Sequence, residues 1–471
     1  MTEQDTRTAI IRSSIPHNRW PAVPPRQGLG VLAILFQLEH SQWWPAEVLQ
    51  ARQFLQLDSL LGFACKSVPY YRERFARIGW QAGEPLTSEI WSELPLLRRS
   101  DIEEHARDLL AASMTVHGKT IVKHTSGSSG RPIAVTRTEL AGLFWSALTL
   151  RDHLWHRRDF SAGLVTIRSG REAADPLAVQ NQASWGTPAG LIYDTGPMTL
   201  FYHRMPLARQ AEILCARNPR YLLAYPSNVL ELTDYFRTKG LSLPALTEVR
   251  TYGEPVDEDV RVECRNVWGV PVTDMYSCEE VGYLALQCPE HQHYHVQSEA
   301  VLVEILDEFN QACAPGQIGR VVVTSLHDFA MPLIRYEIGD YAEAASPCDC
   351  GRGLPVVARV PGRRRNLAAL PDGRCFVPEV RKASWTSIGR IERLQLVQKL
   401  IGQIEINVAV ASPLTEVERR ALIAAIGEDL RHPFELSITE IDEIPRHDNG
   451  KLESFVSEIS WPDDTPPRIV A

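Results

Sequence analysis

The sequence predicts an α/β protein: a large N-terminal domain of layered α/β sheets, then a small α+β C-terminal domain. Between about residues 120 and 345, short β-rich runs alternate with helical ones, the pattern of a largely parallel sheet covered by helices, with sites near strand ends. After "VPGRRRNLAALPDGR" (360–374) the composition shifts and a shorter mix of strands and one helix follows. At 471 residues the chain is also too long for one ordinary core. The boundary is placed near 361–366, dividing the chain into 1–361 and 362–471.

The first 110 residues or so are expected to be helical. Within them "PAEVLQARQFLQLDSLLGFACKSV" (45–68) sets Val48, Leu55, Leu57, Leu60, Leu61 and Ala64 roughly on one face. The strands of the large domain are expected in "AGLVTI" (162–167), "YLLAYP" (221–226), "LTEVRTYGE" (246–254), "AVLVEIL" (300–306) and "IGRVVVTSL" (318–326). In the small domain "LQLVQ" (394–398), "IEINVAVA" (404–411) and "FELSITEID" (434–442) read as strands. "TEVERRALIAAIGEDL" (415–430) reads as a helix opened by a Thr415–Glu418 capping box, with Val417, Leu422, Ala425, Ile426 and Leu430 as its buried stripe.

Hydrophobic residues make up 44% and charged residues 23%, as in a globular protein. A net charge of −9 argues against nucleic acid or an anionic membrane as the main partner. The start, "MTEQDTRTAIIRSS", is polar and acidic, unlike a secretory leader, and "LGVLAILF" (29–36) is too short to span a bilayer. Nine scattered cysteines then read as reduced thiols in the cytoplasm.

The stretch "HTSGSSGRPIAVT" (124–136) is dense in small donors and is followed at once by strand-like sequence. Gly127 and Gly130 permit a turn whose successive N–H groups form an anion-binding nest, and Thr125, Ser126, Ser128 and Ser129 add hydroxyls. A flexible surface linker would have the same composition. It is not a Walker A loop: "HGKT" (117–120) supplies the second half, but Ser113 stands where the first glycine belongs.

The order of the remaining motifs favours phosphate. "TSGSSGRP" resembles the phosphate loop of the adenylate-forming enzymes, the superfamily of acyl-CoA synthetases, adenylation domains and luciferases. "TYGEP" (251–255) resembles its adenine-side turn, "DMYSCEEVG" (274–282) its Tyr-Gly-x-Thr-Glu block, "RYEIGD" (335–340) the block ending in the ribose-binding aspartate, and "PRHDNGK" (445–451) the segment with the catalytic lysine. "SLHDFAMPLIRYEIGDYAEAASPCDCGRGLP" (325–355) and "YYRERF" (70–75) resemble the phenylacetate–CoA ligase-like branch. The resemblance runs from about residue 40 onward and implies a small mobile C-terminal domain.

By this resemblance Lys451 bridges the attacking carboxylate and the α-phosphate of ATP, and Glu280 binds Mg²⁺. The 124–132 loop holds the β- and γ-phosphates, and Asp340 accepts both ribose hydroxyls. Arg363 reaches the ribose or phosphate, Gly253, Glu254 and Pro255 line the adenine, Tyr276 stacks on it, and Asp274 lies near its exocyclic amine. Two positions depart from the family pattern. Glu279 replaces the usual threonine beside Glu280, setting two carboxylates side by side, and Arg364, Arg365 and Asn366 replace the acidic hinge residue.

"CPEHQHYHV" (288–296) and "CDCGR" (348–352) gather thiols and imidazoles, the usual ligands of structural zinc; a histidine-rich hairpin beside free cysteines is the other reading. Relatives in this branch carry zinc at matching places, which implies Cys288, His295, Cys348 and Cys350 as ligands. Tyr225 and Trp185, with Ser184 and Gly186, are candidates for the acyl pocket wall.

The function expected is ATP- and Mg²⁺-dependent activation of an organic, perhaps aromatic, carboxylate to an acyl-adenylate, then transfer to coenzyme A. An amine or a carrier-protein thiol is the alternative acceptor, and a degenerate nucleotide-binding regulatory protein the alternative of another class. Neither nucleic acid nor membrane is an expected partner, and the oligomeric state, a homodimer among the options, is open.

Overall fold

The computed structural model of the chain describes residues 10–112, 117–125, 132–169, 175–446, 452–460 and 466–470. The N-terminal region is helical as expected: α1 (Arg26–Ser41), α2 (Ala46–Ser67), α3 (Pro69–Arg77), α4 (Ser88–Glu93) and α5 (Arg99–Glu104). In α2 the buried stripe is Leu49, Gln53, Leu57, Leu60, Leu61 and Ala64. Val48 and Leu55, expected on that face, are exposed. Position 55 lies two residues, about 200°, from Leu57, and this helix is apolar on more than one side.

The hairpin β1 (Thr120–His124) and β2 (Ala134–Thr138) leads into α6 (Glu139–Trp155). There follow β3 (Leu164–Arg168), β4 (Gln180–Gln182), α7 (Ala189–Ile192), β5 (Met198–Tyr202), α8 (Leu207–Arg217), β6 (Tyr221–Ala224), α9 (Pro226–Lys239), β7 (Glu248–Tyr252), α10 (Glu258–Trp268) and β8 (Val272–Cys278). The chain then turns back through β9 (Gly282–Gln287) and β10 (Tyr294–Val296), and β14 (Val356–Val357) later completes the edge. The resulting nine-stranded sheet has the order β14-β10-β9-β8-β7-β6-β3-β5-β4. Strands β5, β3, β6, β7 and β8 at its centre run parallel, joined by helical crossovers as the β-helix alternation requires.

Alternation along the strands sorts side chains between two cores. Val165, Ile167, Leu222, Ala224 and Val249 pack under α8, α9 and α10. Leu164, Tyr221, Leu223 and Met275 face α1 and α6.

The segments 300–306 and 318–326 do form strands, β11 (Val301–Leu306) and β12 (Ile318–Ser325), but outside the main sheet. With β13 (Tyr336–Glu343) and β15 (Gly362–Arg363) they make a separate four-stranded antiparallel sheet. A turn joins β11 to β12 with no crossover helix, so only antiparallel pairing is open to them.

Beyond the turn Arg364–Asn366, short strands β16 (Ala368–Ala369) and β17 (Arg374–Phe376) and helix α11 (Lys382–Trp385) precede a mixed sheet. That sheet has the order β20-β19-β18-β21, from β18 (Ile391–Leu400), β19 (Gln403–Val410), β20 (Glu435–Ile441) and β21 (Phe455–Ser457). The last strand, β22 (Arg468–Ile469), pairs with β17. Helix α12 (Glu416–Leu430) has the expected capping box and buries Leu422, Ile426 and Leu430 on this sheet. Val417, in its first turn, is exposed, and Ala425 is half-buried. Among the described residues no helix is long and apolar enough to cross a membrane.

Candidate active site

A deep cleft opens along the C-terminal ends of the parallel strands, the place where open α/β sheets bind ligands. Its floor on one side is the turn after β7. Gly253, at φ +76°, lets the chain reverse there, a conformation that side chains with a Cβ resist. The reversal presents Glu254, whose Oε2 accepts from the Ser227 amide at 2.9 Å and Oε1 from the Ser227 hydroxyl at 3.0 Å. Glu254 thereby satisfies the open first turn of α9. The same Oε1 accepts from the Leu452 amide at 3.2 Å.

Across the cleft, Tyr276 on β8 donates to Asp340 Oδ2 at 2.9 Å, and Arg363 Nε lies 3.3 Å from Asp340 Oδ1. β13 and β15 pair Asp340 directly with Arg363, so backbone register sets that ion pair. Burial, then the Asp340 carboxylate, pushes the Tyr276 hydroxyl far above its ordinary value, so it stays a donor. Burial works against charge on Arg363, but Asp340 and then Glu280 hold it protonated above the usual guanidinium value.

Glu280 sits in the tight turn between β8 and β9 and is buried, whereas its neighbour Glu279 is exposed. The two adjacent carboxylates therefore differ in environment. Burial raises the Glu280 pKa, Asp340 adds to this, and Arg363 and Arg99 oppose it. A buried carboxylate with a raised pKa beside a second acid is a natural seat for a divalent cation.

Thr125 closes the β1–β2 hairpin: its amide donates to the Ile133 carbonyl at 3.0 Å, and its hydroxyl accepts from the Ile133 amide at 3.1 Å. Ser126, Gly127, Ser128, Ser129 and Gly130 lie outside the described residues, as does Lys451. The cleft is lined by Thr125, Gly253, Glu254, Pro255, Tyr276, Glu280, Asp340 and Arg363, so the candidate residues within the described chain converge.

Asp274 borders the same cleft but is 6% exposed, and its oxygens accept from Thr251 Oγ1 at 2.7 Å and Tyr294 Oη at 2.8 Å. It ties β7, β8 and β10 together. Burial raises its pKa to about 6. Trp185 is part of the core facing α6, its indole donating to the Ala162 carbonyl at 2.8 Å, and it does not line the cleft; Tyr225 does. A bulky indole beside small residues suits a pocket wall and a core equally well in sequence.

Residues that the motifs did not reveal are Arg99, Ser227 and Leu452. Arg99 enters from the helical N-terminal region, more than 180 positions from Glu280, and no local spacing marks it. Ser227 follows the unremarkable "YP" at the start of α9.

At the sheet edge, the donor atoms of Cys288, His295, Cys348 and Cys350 all lie within 4.8 Å of one another. Cys288 Sγ is 4.0 Å from Cys348 Sγ, and Cys350 Sγ is 3.3 Å from His295 Nε2. His291 and Asp349 pair at 2.6 Å beside this group. Three thiols and one imidazole so disposed fit the donor set of tetrahedral zinc.

No family model matches the chain. It is 24% identical over 391 residues to the phenylacetate-coenzyme A ligase of Thermus thermophilus, a match covering 78% of this chain and 83% of that one. Identity to the phenylacetate-coenzyme A ligase of Pseudomonas putida is 21% over 411 residues, covering 82% and 88%. The fold is similar to that of a 2-hydroxyisobutyryl-CoA ligase in the postadenylation state, with TM-score 0.70, 18% identity and coverage of 89% of this chain and 92% of that one.

Proposed function

We propose that this chain, phenylacetate–CoA ligase-like in sequence and adenylate-forming in fold, is an ATP-dependent acid–thiol ligase. A carboxylate oxygen attacks the α-phosphorus of ATP, the bond to the β-phosphate breaks, and pyrophosphate leaves with the electron pair. The coenzyme A sulfur then attacks the acyl carbon of the adenylate and AMP departs. Both steps bring anions together, so cations and hydrogen-bond donors do most of the catalysis.

Asp340, oriented by Tyr276 and Arg363, takes the two ribose hydroxyls, and Arg363 serves the ribose or phosphate. Gly253, Glu254 and Pro255 border the base. The 124–132 loop holds the outer phosphates at the tip of its hairpin. Glu280 would hold Mg²⁺, which when bound screens charge on the phosphates. Lys451 supplies the cation that bridges the attacking carboxylate and the α-phosphate. The observation that carries this reading is the Leu452–Glu254 hydrogen bond, because it fastens the residue after Lys451 to the adenine-side turn.

We divide the chain at 361–366 into two lobes, the small one bearing Lys451. Cys288, His295, Cys348 and Cys350 hold a structural zinc, which when bound would cross-link the sheet edge through four bonds. A reducing cytoplasm keeps those thiols available.

Lys451→Ala is expected to abolish ATP–pyrophosphate exchange and leave the melting temperature unchanged. Exchange at the wild-type rate would overturn the assignment. AMP release that requires coenzyme A, and not an amine or a carrier protein, fixes the acceptor.

A further inference from the structure

The face of the main sheet beneath α6 ends, at the cleft, in a layer unlike the nucleotide side. Leu164, Thr166 and Arg168 alternate onto this face from β3, as Arg250 and Tyr252 do from β7. Tyr225 and Tyr252 stand against each other with ring centroids 4.6 Å apart, and Tyr252 donates to the Ile167 carbonyl at 3.1 Å. Trp145 of α6, which lines the same cleft, stacks on Tyr283 at 4.1 Å. Gly282, at φ +106°, permits this packing, since a Cβ there would stand 3.3 Å from the Trp145 ring.

Arg168 ends β3 at the rim of this aromatic slot and is exposed to the cleft. Its charge is felt at both the Tyr252 and the Tyr283 hydroxyls, which belong to strands two and four places away in the sheet. Arg168 lines the cleft together with Trp145, Tyr225 and Tyr252.

The local charges do not balance without a ligand. Below the slot, Asp152 and Glu248 are consumed by Arg158 and Arg250, at 2.7 Å to Arg158 in each case and 2.5 Å from Asp152 to Arg250. On the nucleotide side, Asp340 has Arg363, and Glu254 has Ser227 and Leu452. Among the described residues no carboxylate pairs with Arg168. The buried Thr166 hydroxyl and Arg250 Nε on the same face also lack partners. Donors and positive charge are in excess at this end.

We propose that the acid activated here carries a second carboxylate at its far end, and that Arg168 ion-pairs with that carboxylate while the Trp145 and Tyr252 rings flank the body of the substrate. The inference rests on the ligase reading above. Glu280 follows β8, which is three strand positions from β3, about 14 Å. The arginine side chain bridges part of that span. The remainder is the length of one aromatic ring, or of a chain of several carbons, between two carboxylates.

Matched acids test it: benzoate against terephthalate, and hexanoate against adipate, each assayed by ATP–pyrophosphate exchange. The diacids should be exchanged with kcat/KM roughly tenfold higher than their monoacid partners. Arg168→Ala should raise KM for the diacids by about the same factor with kcat nearly unchanged and little effect on monoacids, and Arg168→Lys should restore part of the loss. Preference for the monoacids, an equal loss on both classes, or a loss confined to the coenzyme A step would overturn the inference while leaving the ligase reading intact. No exchange with any acid of either class would overturn both.

Discussion

Asp274 and Asp340 show how much a carboxylate's role depends on neighbours remote in sequence. Both border one cleft and both have partners on each oxygen, yet Asp340 is partly exposed there between Tyr276 and Arg363, whereas Asp274 is buried and spends its oxygens on Thr251 and Tyr294. Burial raises the Asp274 pKa from about 3.8 to about 6. A carboxyl that binds its proton more tightly when folded stabilises the fold at low pH, and that contribution is lost as pH rises between the two values. Wild-type stability should therefore fall relative to Asp274→Asn between about pH 4 and pH 6.5, by on the order of 2–3 kcal/mol, and run parallel to it above. Urea unfolding of both proteins across this range checks it; superimposable pH profiles would show that Asp274 is ordinarily solvated.

Among the secondary-structure elements, the strands with continuous apolar runs were legible. Strands β8, β9 and β13, whose sequences read as site motifs or mix in polar residues, were not, and strand partners were not legible at all. The parallel strands β3, β6 and β7 fall where apolar runs alternate with helices, because burial on both faces writes itself into composition. In the antiparallel sheet, β11 and β12 have similarly apolar runs, and nothing local says which sheet they join. Two- and three-residue strands such as β14 and β10 carry no period at all. The group Cys288, His295, Cys348 and Cys350 lies beside them, with His295 on β10 and the Cys348–Cys350 loop leading toward β14, and the zinc proposed there would tie them together. Strands so short contribute few ladder hydrogen bonds, so such a cross-link, if formed by the proposed zinc, should dominate their stability. Purified protein should contain about one zinc per chain, and Cys350→Ser or exhaustive chelation should lower the melting temperature by on the order of 5 °C. A metal-free preparation melting at the same temperature would refute the site.

Over the whole molecule, the order of the motifs was readable along the chain, but the docking of the small lobe was not. In sequence, the charged residues that make that contact look like ordinary solvated surface residues. Glu231 on α9 receives both Arg393 of β18 and Arg446, and Asp234, one turn further on, receives Lys382 at 2.7 Å. Every acid in these pairs belongs to the large lobe and every cation to the last ninety residues or so. Together with the Leu452–Glu254 bond they fasten the C-terminal residues to the large lobe, the docked arrangement that the proposed role of Lys451 in adenylation calls for. Such pairs are individually weak and screened by salt, which suits the proposed movement of the small lobe between docked and released positions. Glu231→Gln leaves two arginines without their shared partner and should favour release. Pyrophosphate exchange should then fall by roughly three- to tenfold, while thioester formation from preformed acyl-adenylate and coenzyme A should be unchanged or faster. The difference from wild type should shrink at about 0.5 M salt, where the wild-type pairs are themselves screened. If both half-reactions slowed together, or exchange did not change, the ion pairs would be packing detail without influence on lobe position.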